Sequence, residues 1–140
     1  MSSLAPIVSA AEIELRRLLA ERVAIIDGAM GTTIRTYGIT EQQARGDRFK
    51  DAPKDLKNNG DIYSLTQPKV ICDIHRRFLE AGADIIETNT FAATAIGQSE
   101  FFIEDPREHG GRKDPAFYQK VIENKFLQEL AHDINFQSAR

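Results

Sequence analysis

Residues 27–32 (Asp-Gly-Ala-Met-Gly-Thr) follow a short apolar run, and their types suit the binding of an amino acid. Glycine after a strand permits a positive φ and lets backbone amides come close to a ligand. Exposed amides can hold a carboxylate or a phosphate, and the Asp27 side chain beside them can hold an ammonium group. A zwitterionic amino acid satisfies both contacts. The alternative is a strand-to-loop turn whose glycines serve only the backbone conformation, and the spacing alone favours neither.

A second polar cluster, residues 87–90 (Glu-Thr-Asn-Thr), follows the apolar run 81–86. Its carboxylate, amide and hydroxyl groups could orient a small polar substrate. Because side chains alternate along a strand, Glu87 and Asn89 share one face and Thr88 shares the other with Thr90. Only one pair can therefore point toward a ligand. The competing interpretation is a hydrogen-bonded network that closes the neck of a barrel.

Cys72 and His75 lie three positions apart on a predicted helix, a spacing that two metal ligands can use. No third ligand is evident in the sequence, and Cys72 adjoins the apolar stripe of that helix. We therefore predict that Cys72 is a packing residue, and we assign no metal ligand in this chain.

Two predicted strands, at residues 23–26 and in the apolar run 81–86, must position the two polar clusters. Helices are predicted to begin at Ser9, Pro68 and Thr94, with a short helix at 41–45 inside a long loop from 32 to 67. One further helix is predicted from Asp114 to the end, with apolar residues every four positions.

Strand, loop, helix and strand within 23–88 form a βαβ crossover. Ligands of parallel α/β proteins bind at the carboxyl ends of strands, so we expect both clusters on one face.

Composition excludes several classes of protein. The 140 residues are 41% hydrophobic and 28% charged, which is typical of a globular domain and not of a disordered chain. The net charge is −3 and no basic stripe forms, which argues against nucleic-acid binding. We find no apolar run of membrane-spanning length and no signal peptide. A single cysteine excludes an internal disulfide, so a cytoplasmic location is expected.

The chain resembles the homocysteine-binding domain found at the N-terminus of cobalamin-dependent methionine synthases, within the homocysteine S-methyltransferase family. Four motifs in order carry the resemblance: 27–32 (DGAMGT), 45–49 (RGDRF), 65–71 (LTQPKVI) and 81–91 (AGADIIETNTF). It covers residues 18–102 and resumes at 126–140. Residues 58–61 (NNGD) depart from the usual Gly-Asn-Asn-Asp of the family.

The resemblance implies an α/β fold: the first portion of a TIM (β/α)8 barrel, incomplete in this chain. Residues 1–140 would supply about two of the eight βα units, with 103–125 as an insertion. Parallel sheets need both faces buried, and two strands alone cannot form such a sheet. We therefore favour the interpretation that this chain is a piece of a longer protein over the alternative that further strands lie in the predicted loops.

The resemblance also implies a function, namely methyl transfer to the homocysteine thiol to form methionine. Asp27 would contact the ammonium of homocysteine, and amides near Gly28 and Ala29 its carboxylate, with Glu87, Thr88 and Asn89 on the neighbouring strand end. Zinc, bound by three cysteines expected beyond Arg140, and methylcobalamin would serve the full-length protein. The partners would be the rest of the barrel and the cobalamin and folate domains.

We therefore expect this chain to supply part of the homocysteine pocket, to contain no catalytic residue and to bind no cofactor alone. It should be inactive by itself. One alternative is a non-catalytic short protein that binds an amino acid or a partner with a relic of this fold. Another is a different TIM-barrel enzyme that uses the same strand ends for another small substrate.

Overall fold

A computed structural model describes residues 9–140, which are mostly helical. The helices are α1 (Ala10–Glu21), α2 (Met30–Thr36), α3 (Glu41–Arg45), α4 (Tyr63–Thr66), α5 (Pro68–Glu80), α6 (Ala95–Phe102), α7 (Pro115–Glu123) and α8 (Lys125–Ala139). Two 3₁₀ turns, Gly60–Ile62 and Pro106–His109, lie in the connections.

Most predicted helix starts are confirmed, because each depends on a contact close in sequence. The Ser9 side chain accepts a hydrogen bond from the amide of Glu12 at 3.1 Å and begins α1. Pro68 occupies the first turn of α5, where its missing amide is tolerated, and Gly82 follows the helix with φ of 107°. Thr94 caps α6 by accepting from the amide of Gly97.

Three helical predictions are wrong. Helices α2 and α4 fall in segments expected to be turn or loop. The single helix expected after Asp114 is two helices, because Asn124 leaves helical geometry (φ −69°, ψ 111°) and caps α8. The expected four-residue stripe is therefore split: Leu130 and Ile134 are buried, whereas Ile122 is 46% exposed.

The α/β prediction is also wrong, since the described residues contain no β-sheet. The segments 23–26 and 81–86, expected to be strands, meet in one isolated parallel bridge between Ile26 and Ile85. Their side chains stay exposed, with Val23 at 83% and Ile26 at 54%. Parallel sheets are normally covered on both faces, and here no such covered pair forms. The described residues thus form a helical assembly rather than the first portion of a TIM barrel.

On either side of that bridge, side-chain carboxylates accept the backbone amide hydrogen bonds that would otherwise continue the pairing of the two segments. The Ile85 amide donates to the Ile25 carbonyl at 3.2 Å, and the Asp27 amide to the Ile85 carbonyl at 2.9 Å. Before the bridge, the amide of Ile25 donates to the Asp84 carboxylate at 2.9 Å. After it, the amide of Glu87 donates to the Asp27 carboxylate at 2.9 Å. Backbone pairing therefore stops after one bridge, because carboxylates satisfy the amides that a ladder would need.

An ion pair fixes the same two segments together. The Arg22 guanidinium donates to both oxygens of Asp84, at 2.7 and 2.5 Å. Hydrogen bonds from Arg22 and from the Ile25 amide lower the pKa of Asp84 to about 2. Asp84 thus stays ionised and joins the end of α1 to the segment that precedes the second polar cluster.

The core lies among helices rather than behind strands. Its buried apolar side chains come from α2 to α5, from α8 and from the connection between α3 and α4. They include Ile34, Ala44, Phe49, Leu56, Ile62, Tyr63, Ile71, Ile74, Leu130 and Ile134. Helix α1 contributes no buried residue. Among the described helices, none combines the length and the apolar character that crossing a membrane requires.

Candidate functional site

One cleft of about 1000 Å3 is lined by both polar clusters that the sequence singles out. All six predicted site residues border it: Asp27, Gly28, Ala29, Glu87, Thr88 and Asn89. The cleft also contains Asp61 and Arg35, which the sequence reasoning missed. The structure therefore brings the predicted residues together, although it forms no barrel around them. Their role in binding stays a prediction.

The turn at the start of α2 leaves backbone amides available at the cleft. Ala29 adopts the left-handed conformation (φ 52°, ψ 28°), which is uncommon for a residue with a Cβ. The amides of Gly28 and Ala29 donate to no other described residue. A Cβ at Gly28 or at Gly31 would meet no heavy atom within 4 Å, so the floor of the cleft is open there. A strained turn with free amides is the kind of backbone that holds an anionic group.

Asp27 connects the two clusters. One oxygen of its half-buried carboxylate accepts from the Glu87 amide at 2.9 Å. The other oxygen takes no hydrogen bond from the described residues, so one side of this carboxylate can meet a cationic ligand group. Glu87 itself is exposed at the same edge.

The remaining residues of the second cluster differ in their freedom to bind. The hydroxyls of Thr88 and Thr90 are bonded to each other at 2.8 Å. The Asn89 side chain is buried, at 5% exposed, and donates to the carbonyl of Gly60 at 2.8 Å and the hydroxyl of Ser64 at 3.2 Å. Its amide nitrogen therefore holds the loop in place. Of the predicted pair, Glu87 makes no side-chain hydrogen bond with the described residues, whereas Asn89 uses its amide nitrogen in two and keeps only its carboxamide oxygen unbonded.

Asp61 anchors the cluster from the opposite side. Its carboxylate, 5% exposed, accepts from the amide of Ala92 at 2.7 Å and from the amide of Phe91 at 3.1 Å. Burial raises the pKa of Asp61, against the opposing effect of these two hydrogen bonds. In the sequence, Asp61 belongs to the polar run 58–61. No feature of that run indicates that its carboxylate contacts residues 91 and 92, about 30 positions away.

A buried amide pair extends this support behind the cleft. The Asn59 side chain donates to the Gln98 side chain at 2.8 Å, and Gln98 donates in turn to the Ala92 carbonyl at 3.1 Å. Both side chains are almost fully buried. The loop 88–92 is thus held from Asn59, Asp61 and α6, which gives the second cluster a defined position.

The residues present do not fit the three-cysteine zinc site that the resemblance implies. Cys72 is exposed on α5, which corrects the prediction that it is a packing residue. His75 buries its Nε2 atom without a hydrogen-bond partner in the described part of the chain. Over residues 9–140, no group of three or more His, Cys, Asp or Glu side chains is arranged to hold a metal ion.

Comparison with known families identifies the stretch that contains the cleft. A family model described as homocysteine S-methyltransferase matches residues 24–123 of this chain. The matched residues make up most of the chain and include both polar clusters, Asp61 and Arg35.

Proposed function

The chain belongs to the homocysteine S-methyltransferase family, and on that premise we propose that its cleft binds homocysteine by the amino-acid end. The ligand would serve in methyl transfer to its thiol, giving methionine. In this reaction the sulfur forms a bond to the methyl carbon, the bond from methyl to its donor breaks, and the thiol proton leaves. This chain would supply part of the pocket and be inactive alone.

The proposed contacts follow from the charges at the cleft. The free oxygen of Asp27 faces the ammonium group, and a hydrogen bond between two charged partners is about twice as strong as a neutral one. The open amides of Gly28 and Ala29 donate to the carboxylate of the ligand. Glu87 and the hydroxyl of Thr88 border the rest of the ligand. The proposal therefore uses backbone and side chain for opposite ends of one zwitterion.

Zinc and methylcobalamin are proposed as cofactors of the reaction on the resemblance alone. The single cysteine of this chain cannot form a three-cysteine site, so no step above runs through zinc. The observation that carries the binding proposal is the hydrogen bond from the Glu87 amide to Asp27, which joins the two clusters in one cleft.

Asp27→Asn tests the contact with the ammonium group. The variant keeps an oxygen that can accept from the Glu87 amide, but it removes the charge. We expect homocysteine to bind about tenfold or more weakly, since hydrogen bonds to charged groups contribute about 1.5–3 kcal/mol. Isothermal titration calorimetry with homocysteine would measure the change.

Two controls separate this contact from a general loss of folding. Asp47→Asn removes a charge at an exposed position outside the cleft, and homocysteine affinity should stay unchanged. 4-Mercaptobutyrate, which lacks the ammonium, should bind wild type and Asp27→Asn with equal affinity. Equal binding of homocysteine by wild type and Asp27→Asn would contradict the assignment of Asp27. No binding of homocysteine by the wild-type chain would contradict the proposed function itself.

A further inference from the structure

Arg35 also lines this cleft. It lies on α2, the helix that directly follows the turn at residues 27–29. Gly31 precedes it by four positions, so the two residues lie one above the other along the helix. Long side chains on a helix generally point toward its N-terminus, which for α2 is the end that carries Gly31. Because a Cβ at Gly31 would meet nothing within 4 Å, the space above that residue is open. The guanidinium can therefore reach a ligand that lies over Gly31.

Arg35 makes no ion pair and no hydrogen bond with the residues that the structure describes. By contrast, Arg22 is paired with Asp84 and Arg45 with Glu41. Three carboxylates border the same cleft, and two of them, Asp27 and Asp61, accept from backbone amides instead. The cleft thus presents a cation and carboxylates that do not neutralise one another by direct contact. Such an arrangement suits a ligand with both charges.

We propose that Arg35 binds the carboxylate of the ligand and makes the cleft selective for thiols that contain one. The guanidinium matches a carboxylate with two parallel hydrogen bonds, which a lysine ammonium cannot reproduce. The inference rests on the proposed function and adds a side chain to the carboxylate contact, which the turn amides would otherwise make alone. Asp27 and Arg35 then bind opposite charges of the same amino-acid group.

Two ligands and two variants test this role. The ligands are homocysteine and 3-mercaptopropylamine, which keeps the thiol and the ammonium but has no carboxylate. Calorimetry should give about tenfold or greater loss of homocysteine affinity in Arg35→Ala, with 3-mercaptopropylamine affinity unchanged. Arg35→Lys should recover only part of the loss. Arg76→Ala, an exposed arginine on α5 outside the cleft, should bind homocysteine as wild type does.

Each other outcome overturns the inference in a recognisable way. Unchanged homocysteine affinity in Arg35→Ala would leave the turn amides as the carboxylate site. An equal loss for both ligands would make Arg35 a structural residue. If wild type bound homocysteine and 3-mercaptopropylamine with equal affinity, no group of the cleft would contribute binding energy through the carboxylate. In all three cases homocysteine still binds wild type, so the proposed function stands; only absence of that binding overturns both.

Discussion

Asp27 and Asp61 line the same cleft, but their carboxylates have different surroundings. Asp27 is half-buried and keeps one oxygen free of the described residues. Asp61 is almost fully buried, and each of its oxygens accepts from a backbone amide of the loop 88–92. We therefore propose ligand contact for Asp27, whereas Asp61 supports the loop. The residue type alone does not separate these roles; the number of occupied oxygens does.

The raised pKa of Asp61 predicts how its contribution to stability depends on pH. Since its folded pKa lies above the ordinary value of 3.8, this residue stabilises the fold most below that value. The contribution is lost as pH rises through the folded pKa. The free energy of unfolding of wild type, minus that of Asp61→Asn, should therefore fall as pH rises above about 4.

Urea unfolding of both proteins across this range would measure that difference. Asparagine keeps one acceptor for the two amides, which adds an offset that does not vary with pH. A difference that stays constant from acid to neutral pH would contradict the assigned shift. A difference that rises with pH would reverse its sign and mean that the ionised form is the stabilising one.

At the scale of elements, helices α1 and α8 have similar caps but unequal burial. Ser9 caps α1, in which no residue is buried. Asn124 caps α8 by accepting from the amide of Leu127 at 3.1 Å, and α8 carries the buried Leu127, Leu130 and Ile134. A cap contributes to global stability only when its helix unfolds together with the core. The two caps should therefore differ in effect.

Asn124→Ala is expected to lower the free energy of unfolding by about 1 kcal/mol, the usual contribution of such a cap. Ser9→Ala is the matched control, and it should leave the main unfolding transition unchanged, because α1 can fray independently. Chemical denaturation followed by circular dichroism would compare the two. Equal destabilisation by both substitutions would mean that α1 is coupled to the core despite its exposure.

In the two extended segments, nearby side chains decide how far the backbones pair. Residues 23–26 and 85–86 have the composition of strands, with isoleucine dominant. Propensity makes them extended, but the Asp84 and Asp27 carboxylates take the amides that would continue the ladder. A strand pattern therefore predicts the local backbone here and not the sheet.

At the scale of the whole molecule, the described residues join the candidate cleft to a helical core, and no group of three or more His, Cys, Asp or Glu side chains among them is arranged to hold a metal ion. Its one cysteine cannot supply a site of three. We predict that the purified chain, with zinc, homocysteine and methylcobalamin, forms no methionine. Homocysteine binding measured on the same sample distinguishes an inactive protein from an unfolded one. Turnover above the rate without protein would contradict the prediction.

The local parts of the fold could be predicted from sequence because their causes lie within a few residues. Ser9, Pro68 and Thr94 begin helices through contacts no more than three positions away, or through the geometry of proline itself. The predicted short helix at 41–45 coincides with the observed α3. The break between α7 and α8 at Asn124 could not be predicted from the apolar residues at every fourth position, because that spacing continues across it.

The sequence by itself determined two polar clusters after apolar segments, the family to which they belong, and most of the helix starts. Tertiary structure decided that the apolar segments form one bridge instead of a sheet, and that Asp61 and Arg35 share the cleft with Asp27. The physical reason is separation along the chain: the Asp27 carboxylate receives its hydrogen bond from a residue 60 positions away. Contacts of that kind depend on how helices pack, which no local pattern specifies.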